Sequence, residues 1–407
     1  MPDYFDELET RSADARQAAL AETLPGLVAD AQETAPGFAK HLEGIDPAEV
    51  CDRTALAKLP VLRKSALMDA REAGEPFGGY AAGPVSGFDY VFQSPGPIYE
   101  PGSRSADWWR LGRCAHASGI GAGDIVQNCF SYHLTPAGMM FDSAIAAVGA
   151  TSVPAGTGQT DLQVRAAVDI GTTAYAGTPD FLKVILDRAE EMGLSPAITK
   201  AAVSGGALFP SLRQEYADRG VSCLQCYATA DLGLIAYESS AMEGMIVDEG
   251  VIVEIVRPGT GDPVPEGEVG EVLVTSFNRD YPLIRFATGD LSAVLPGASP
   301  CGRTNMRIKG WMGRADQTAK VKGMFVRPEQ VAEFVARHPG VGKARVEIDR
   351  EGEQDRMRVR VEADGGNLEA LMESVQAVMK LRADVEVVVP GTLPNDGKVI
   401  DDQRDYS

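Results

Sequence analysis

Between Asp124 and Ala228 the chain alternates short apolar runs with amphipathic stretches, and nothing else in the sequence restricts the fold as much. DIVQNCF (Asp124–Phe130), TSVPAG, TTAYA, ITKAAVSGG and VSCLQCYA are short enough for buried strands. PAGMMFDSAIAAVGA, LQVRAAVD, PDFLKVILDRAEEMG and PSLRQEYADRG between them have helical spacing. Three or four such units in a row argue for parallel strands with helices on the faces. ADWWRLGRCAHAS, just upstream, reads as a further helix that stops at Gly119.

The flanks have a different texture. The first ~80 residues read as polar and helical, with an apolar stripe over Ala13–Ala31 and a short helix in LPVLRKSALMDA. From Gly250, VIVEIV and GEVLVTSF read as strands of an antiparallel subdomain, joined by the turn-rich GTGDPVPEGEVG. The last ~95 residues carry their own strand and helix pattern. The expected organisation is therefore α/β: a large N-terminal domain over 1–313, with parallel and mixed sheets, and a small, mobile α+β domain over 314–407.

Charge and cysteine usage narrow the function classes. With 58 acidic against 38 basic side chains, the net charge of −20 disfavours nucleic acid and anionic membrane as partners. No apolar run reaches the ~18 residues of a membrane span, and the polar start is unlike a signal sequence. Six cysteines in a chain of 407 residues do not make a disulfide framework, so reduced thiols and a cytoplasmic location are expected. Cys223 and Cys226 form a CxxC on a strand, where positions three apart face opposite sides, so they are expected to be structural. The glycines of GIGAG (Gly119–Gly123) follow a helix and precede a strand, the reverse of a dinucleotide-binding fingerprint, and read as a turn.

Five segments carry chemistry: SGGAL (Ser204–Leu208), QCYATADLG (Gln225–Gly233), PLIRFATGD (Pro282–Asp290), GRADQTAKVKG (Gly313–Gly323) and LPNDGK (Leu393–Lys398). In this order and at these distances the chain resembles the acyl-adenylate-forming (AMP-binding) superfamily, closest to its phenylacetate–coenzyme A ligase branch. LPVLRKSAL…PFGG and CGRTNMRIKGWMGRAD add to that resemblance.

The resemblance implies an acyl- or aryl-coenzyme A ligase that uses ATP to form an acyl-adenylate and then releases AMP to coenzyme A. It implies roles residue by residue. Asp290 and Arg314 would hold the ribose, and Gly205, Gly206 and Ala207 would let the backbone approach the adenine. Tyr227 would stack on the purine, with Ala228 and Thr229 beside it. Lys398 would be the catalytic cation, and Asp316 the hinge. Phe130, Tyr132, His133, Gly138 and Gly177 would line the acyl pocket, which suits a small aromatic or short-chain carboxylic acid. A homodimer is expected from the branch. Six of these assignments have a plainer alternative: a turn for Asp290, a surface ion pair for Arg314, core packing for Tyr227, a strand cap for Asp316, a solvated tail for Lys398 and a core or loop position for His133.

Two places depart from the pattern. Where the branch has a phosphate-gripping loop rich in Ser, Thr and Gly, this chain has FQSPGPIYEPGS (Phe92–Ser103). Ser94 and Gly96 fit, but Pro95 and Pro97 each remove an N–H donor, and Glu100 is expected to bring a negative charge toward the polyphosphate. In YATAD the expected hydroxyl and glutamate are Ala230 and Asp231, leaving Asp231 as a candidate Mg²⁺ contact with a shorter side chain. Of the branch's zinc-binding residues only Cys301 remains, so no zinc is expected. The eroded loop keeps two other readings open. One is an enzyme acting on a preformed acyl-CoA without ATP, and the other a non-catalytic nucleotide or acyl-CoA binding protein.

Overall fold

The computed structural model describes residues 3–72, 74–94, 98–315, 317–321, 324–351 and 354–404. Gly96 and Asp316, the loop glycine and the hinge residue expected from the sequence, lie outside the described residues. The chain divides into two compact units that interleave in sequence. The first comprises Met1–Val253, Val274–Phe286 and Leu295–Trp311; the second comprises Glu254–Leu273, Ala287–Val294 and Met312–Ser407. The second unit thus takes two segments from upstream of residue 312 in addition to the C-terminal stretch.

In the first unit the helix–strand alternation builds a parallel sheet. Its strands lie in the order Thr151–Pro154, Ile125–Asn128, Ala174–Gly177, Lys200–Val203 and Ser222–Thr229. Gly233–Tyr237, Met245–Val247 and Arg307–Ile308 extend it antiparallel. The chain leaves Ile125–Asn128 for the edge strand Thr151–Pro154, then crosses back to Ala174–Gly177 on the other side. Such a reversal opens a crevice at the carboxyl ends of the strands, where ligands settle in open α/β sheets. Gly177 and Thr229 end strands of this sheet, and Phe130–His133, Ser204–Ala207 and Ala230–Asp231 follow strands at that same end.

The pleat assigns Cys223 and Cys226 as expected. Cys223 packs with Tyr175 and Tyr216 on one face, whereas Cys226 packs with Phe130, Trp109 and Leu234 on the other. GIGAG forms the turn between the helix Gly112–Ala117 and the strand that starts at Ile125. That helix is shorter than ADWWRLGRCAHAS implied. Asp107 and Arg110 have φ of 49° and 64°, outside the helical region. The Arg110 guanidinium turns inward to Asp248 Oδ1 at 3.1 Å, and Asp107 accepts from Gly112 N at 3.0 Å. An ion pair remote in sequence overrides local helical preference here.

A separate hairpin, Tyr90–Ser94 with Ile98–Gly102, pairs Phe92 with Glu100 and Ser94 with Ile98. In the second unit, Val341–Glu351 and Gln354–Ala363 form a long antiparallel pair, flanked in parallel by Ile400–Asp402 and Asp384–Val388. Helices Pro328–Ala336 and Leu368–Met379 close its core through Val331, Phe334, Leu371 and Val375.

Candidate active site

In the first unit the crevice residues divide into open backbone and packed side chains. Gly205, Gly206 and Ala207 are exposed, and Gly205 has φ +72°, a conformation that suits glycine. Ser204 anchors this turn by donating to Cys226 O at 3.0 Å. Tyr227 is buried, while Ala228 and Thr229 are half-buried. Thr229 Oγ1 accepts from Leu232 N at 3.2 Å, so its hydroxyl stabilises the turn that delivers Asp231.

The residues expected in the acyl pocket fall into three environments. Phe130 is buried and stacks on Phe141 with ring centroids 4.4 Å apart. Tyr132 lies over Gly138, where a Cβ would come within 2.8 Å of its ring. The Tyr132 hydroxyl donates to Asp142 at 2.9 Å and accepts from Asn128 at 2.9 Å. Burial and the Asp142 charge push the Tyr132 phenol far up. Gly177 is buried beneath the Tyr175 ring, whereas His133 is exposed.

The hairpin and the turn after Ser222–Thr229 meet in a buried polar cluster, which revises two expectations. Glu100 is 0% exposed and hydrogen-bonds with Ser94 across the hairpin. Burial, then the neighbouring Asp231 charge, pushes its carboxyl up to about 8. Glu100 is thus enclosed and biased toward its protonated form, and it presents no exposed negative charge toward a polyphosphate. The Ser94 hydroxyl is committed to it. The Asp231 side chain is only 1% exposed, and its Oδ2 takes Lys64 Nζ at 3.0 Å. Its Oδ1, Glu100 Oε2 and the Tyr281 hydroxyl are buried without a hydrogen-bond partner among the described residues.

The carboxylate read as a candidate Mg²⁺ contact is therefore enclosed and already holds a lysine. That donor set does not fit a divalent ion. Sequence reasoning missed Lys64, whose signal was its place in LPVLRKSAL. Cys301 is half-buried among hydroxyl and guanidinium donors. Burial opposes ionisation, but bonds from Ser239, Ser299 and Arg303 prevail and bring its thiol down to about 7.

The second unit holds the remaining charged residues. Asp290 and Arg314 form a backbone bridge, and Arg314 Nη1 meets Asp290 Oδ1 at 2.9 Å. Gly289, at φ +74°, lies under the guanidinium, where a Cβ would come within 2.7 Å of Arg314 Nη2. The Arg314 side chain stays 55% exposed. Lys398 is 50% exposed, and its Nζ rests on Asp401 Oδ1 at 3.0 Å. Burial opposes ionisation of Asp401, yet hydrogen bonds from Gln403, Arg345 and Lys398 outweigh it and hold its carboxyl well below the ordinary range. Arg345 ties Asp396 and Asp401 together at 2.8 Å each, fixing the loop that carries Lys398.

A parallel sheet with a crevice at its strand ends, followed by a compact C-terminal α+β unit, is the fold of the adenylate-forming enzymes. A 2-hydroxyisobutyryl-CoA ligase, solved in its postadenylation state with 2-HIB-AMP, matches at a TM-score of 0.72. That match covers 95% of this chain and 89% of that one at 25% identity. No family model matches the chain. In sequence it resembles the phenylacetate–coenzyme A ligases along nearly its whole length. It is 28% identical to the enzyme of Aromatoleum evansii over 409 residues, covering 95% of this chain and 91% of that protein. The Escherichia coli enzyme is 26% identical, with 97% and 96% covered.

No helix among the described residues is long and apolar enough to cross a membrane.

Proposed function

We propose that the protein is an acyl- or aryl-coenzyme A ligase acting on a small carboxylic acid, with an aromatic or short-chain acid as the substrate class. The observation that carries this reading is the near-full-length correspondence to a ligase solved with its own acyl-adenylate. In the first half-reaction a carboxylate oxygen attacks the α-phosphorus of ATP, and pyrophosphate leaves. In the second, the coenzyme A sulfur attacks the acyl carbonyl, the carbon–oxygen bond to AMP breaks, and the thiol proton passes to solvent.

This chain's residues support distinct parts of that sequence. Asp290 accepts the ribose hydroxyls, since a carboxylate takes two hydrogen bonds at once, and Arg314 adds a donor beside it. The backbone at Gly205–Ala207 is open enough to lie against the purine. Lys398 stabilises the negative charge that grows on the α-phosphate and carboxylate oxygens. Mg²⁺ would arrive with ATP and be held by the nucleotide, because Asp231 is committed to Lys64. The test is product analysis by mass spectrometry with ATP, coenzyme A and a panel of acids that includes phenylacetate. Acyl-CoA and AMP should appear in equal amounts.

A second reading, an enzyme for preformed acyl-CoA, is favoured by one observation: Ser94, a hydroxyl of the hairpin, is consumed by Glu100. In that case a supplied acyl-CoA is turned over without ATP.

A further inference from the structure

The cluster around Asp231 holds more polar atoms than its internal bonds use. Five groups converge from separate parts of the first unit: Lys64 at the start of its helix, Ser94 and Glu100 from the hairpin, Asp231 after its strand, and Tyr281. Glu100 and Tyr281 are both enclosed, and each feels the Asp231 charge. Asp231 is enclosed as well, with one oxygen on Lys64 and the other turned inward. Lys64 differs from the other four in that its side chain is 36% exposed. The group this cluster presents outward is thus a cation, anchored from behind by a buried carboxylate.

An anchored ammonium of this kind is a preorganised anion contact. Asp231 takes one of its three N–H donors and fixes its direction, which lowers the ordering cost of a further bond. Glu100 is fully enclosed and biased toward its protonated form, and the lysine's ion pair is with Asp231 alone among the described residues. The turn carrying Asp231 is continuous with Tyr227–Thr229, at the crevice end of the sheet.

From this geometry we propose that Lys64 is a phosphate-contacting residue of the nucleotide site, supplying from the protein the positive charge that neither Asp231 nor the altered hairpin can recruit through a metal. The ligand class is the phosphate group of an adenine nucleotide. The inference rests on the nucleotide reading given above.

The experiment compares AMP with adenosine, which differ only in the phosphate. Calorimetric titrations of the wild type, Lys64→Met and Lys64→Arg are run with Mg²⁺ and with a chelator. The wild type should prefer AMP in both conditions. Lys64→Met should shrink the AMP-to-adenosine affinity ratio roughly tenfold or more, the worth of a hydrogen bond to a charged group. Lys64→Arg, which keeps the charge, should retain most of the preference and also serves as the folded control. A lysine that only braces Asp231 would weaken both ligands alike, leaving the ratio unchanged and overturning the proposal. A wild-type preference that collapses on chelation would overturn it too, because the charge would then come from a metal. Wild-type protein that binds neither ligand would instead defeat the nucleotide reading, and the lysine's role with it.

Discussion

Glu100 and Asp401 start from the same difficulty and end on opposite sides of neutrality. For both carboxyls burial is the largest influence, and it opposes ionisation. Asp401 then receives hydrogen bonds from Gln403, Arg345 and Lys398, and its carboxyl falls well below the ordinary range. Glu100 has Ser94 for a partner and a second carboxylate, Asp231, for a neighbour, and its carboxyl rises to about 8. The donors around a buried acid decide its charge, and burial sets only how many are needed. The chain therefore has a carboxylate steadying a cation at Lys398 and, behind the cluster at Lys64, an acid biased toward its protonated form.

The largest test of this contrast is at Lys398. Lys398→Ala should lower adenylation by roughly 10²–10³-fold, the usual cost of removing one group that stabilises developing charge. Transfer to coenzyme A from a supplied acyl-adenylate should be largely spared. Single-turnover assays of the two half-reactions separate these effects, and equal losses in both would remove Lys398 from the first step.

Glu100→Gln comes next. Glu100 has a folded pKa near 8 against an ordinary value of 4.5. Between these pH values the unfolded chain releases a proton that the folded chain keeps, so this group makes stability fall as pH rises, levelling off above 8. The slope is at most about 1.4 kcal/mol per pH unit. Urea melts of wild type and variant at pH 5, 6.5 and 8 should diverge steadily in favour of the glutamine. Parallel curves would mean that Glu100 ionises normally.

Asp401→Asn should show the opposite trend. A depressed carboxyl contributes stability that is present above its unfolded pKa and is lost as pH falls through the folded one. The variant should be less stable than wild type by about 1–3 kcal/mol at neutral pH. The gap should narrow in acid; a gap independent of pH would assign the loss to packing instead. The smallest effect is expected at the exposed His133: His133→Ala should change kcat/KM by less than about threefold, within the range of surface substitutions.

What was legible in the sequence follows the range of the interaction responsible. The parallel strands and the placement of Cys223 and Cys226 on opposite faces come from local periodicity, and the structure has both. The helix over ADWWRLGRCAHAS is cut short because Arg110 answers to Asp248, 138 positions away. The strand Ile400–Asp402 escaped notice because three residues carry no period, and only pairing with Val346–Ile348 defines it. Within the site, Asp290 beside Arg314 was readable as motif chemistry. The state of Glu100 was not, because it depends on Asp231, Lys64 and Ser94, which only folding brings together.

The central claim is that this chain, despite its altered hairpin, makes an acyl-adenylate. ATP–pyrophosphate isotope exchange without coenzyme A tests that step alone. Exchange should require a carboxylic acid, be strongest with a small aromatic or short-chain acid, and disappear in Lys398→Ala. Absence of exchange with every acid tried, in protein that turns over a supplied acyl-CoA, would contradict it and establish the thioester reading in its place.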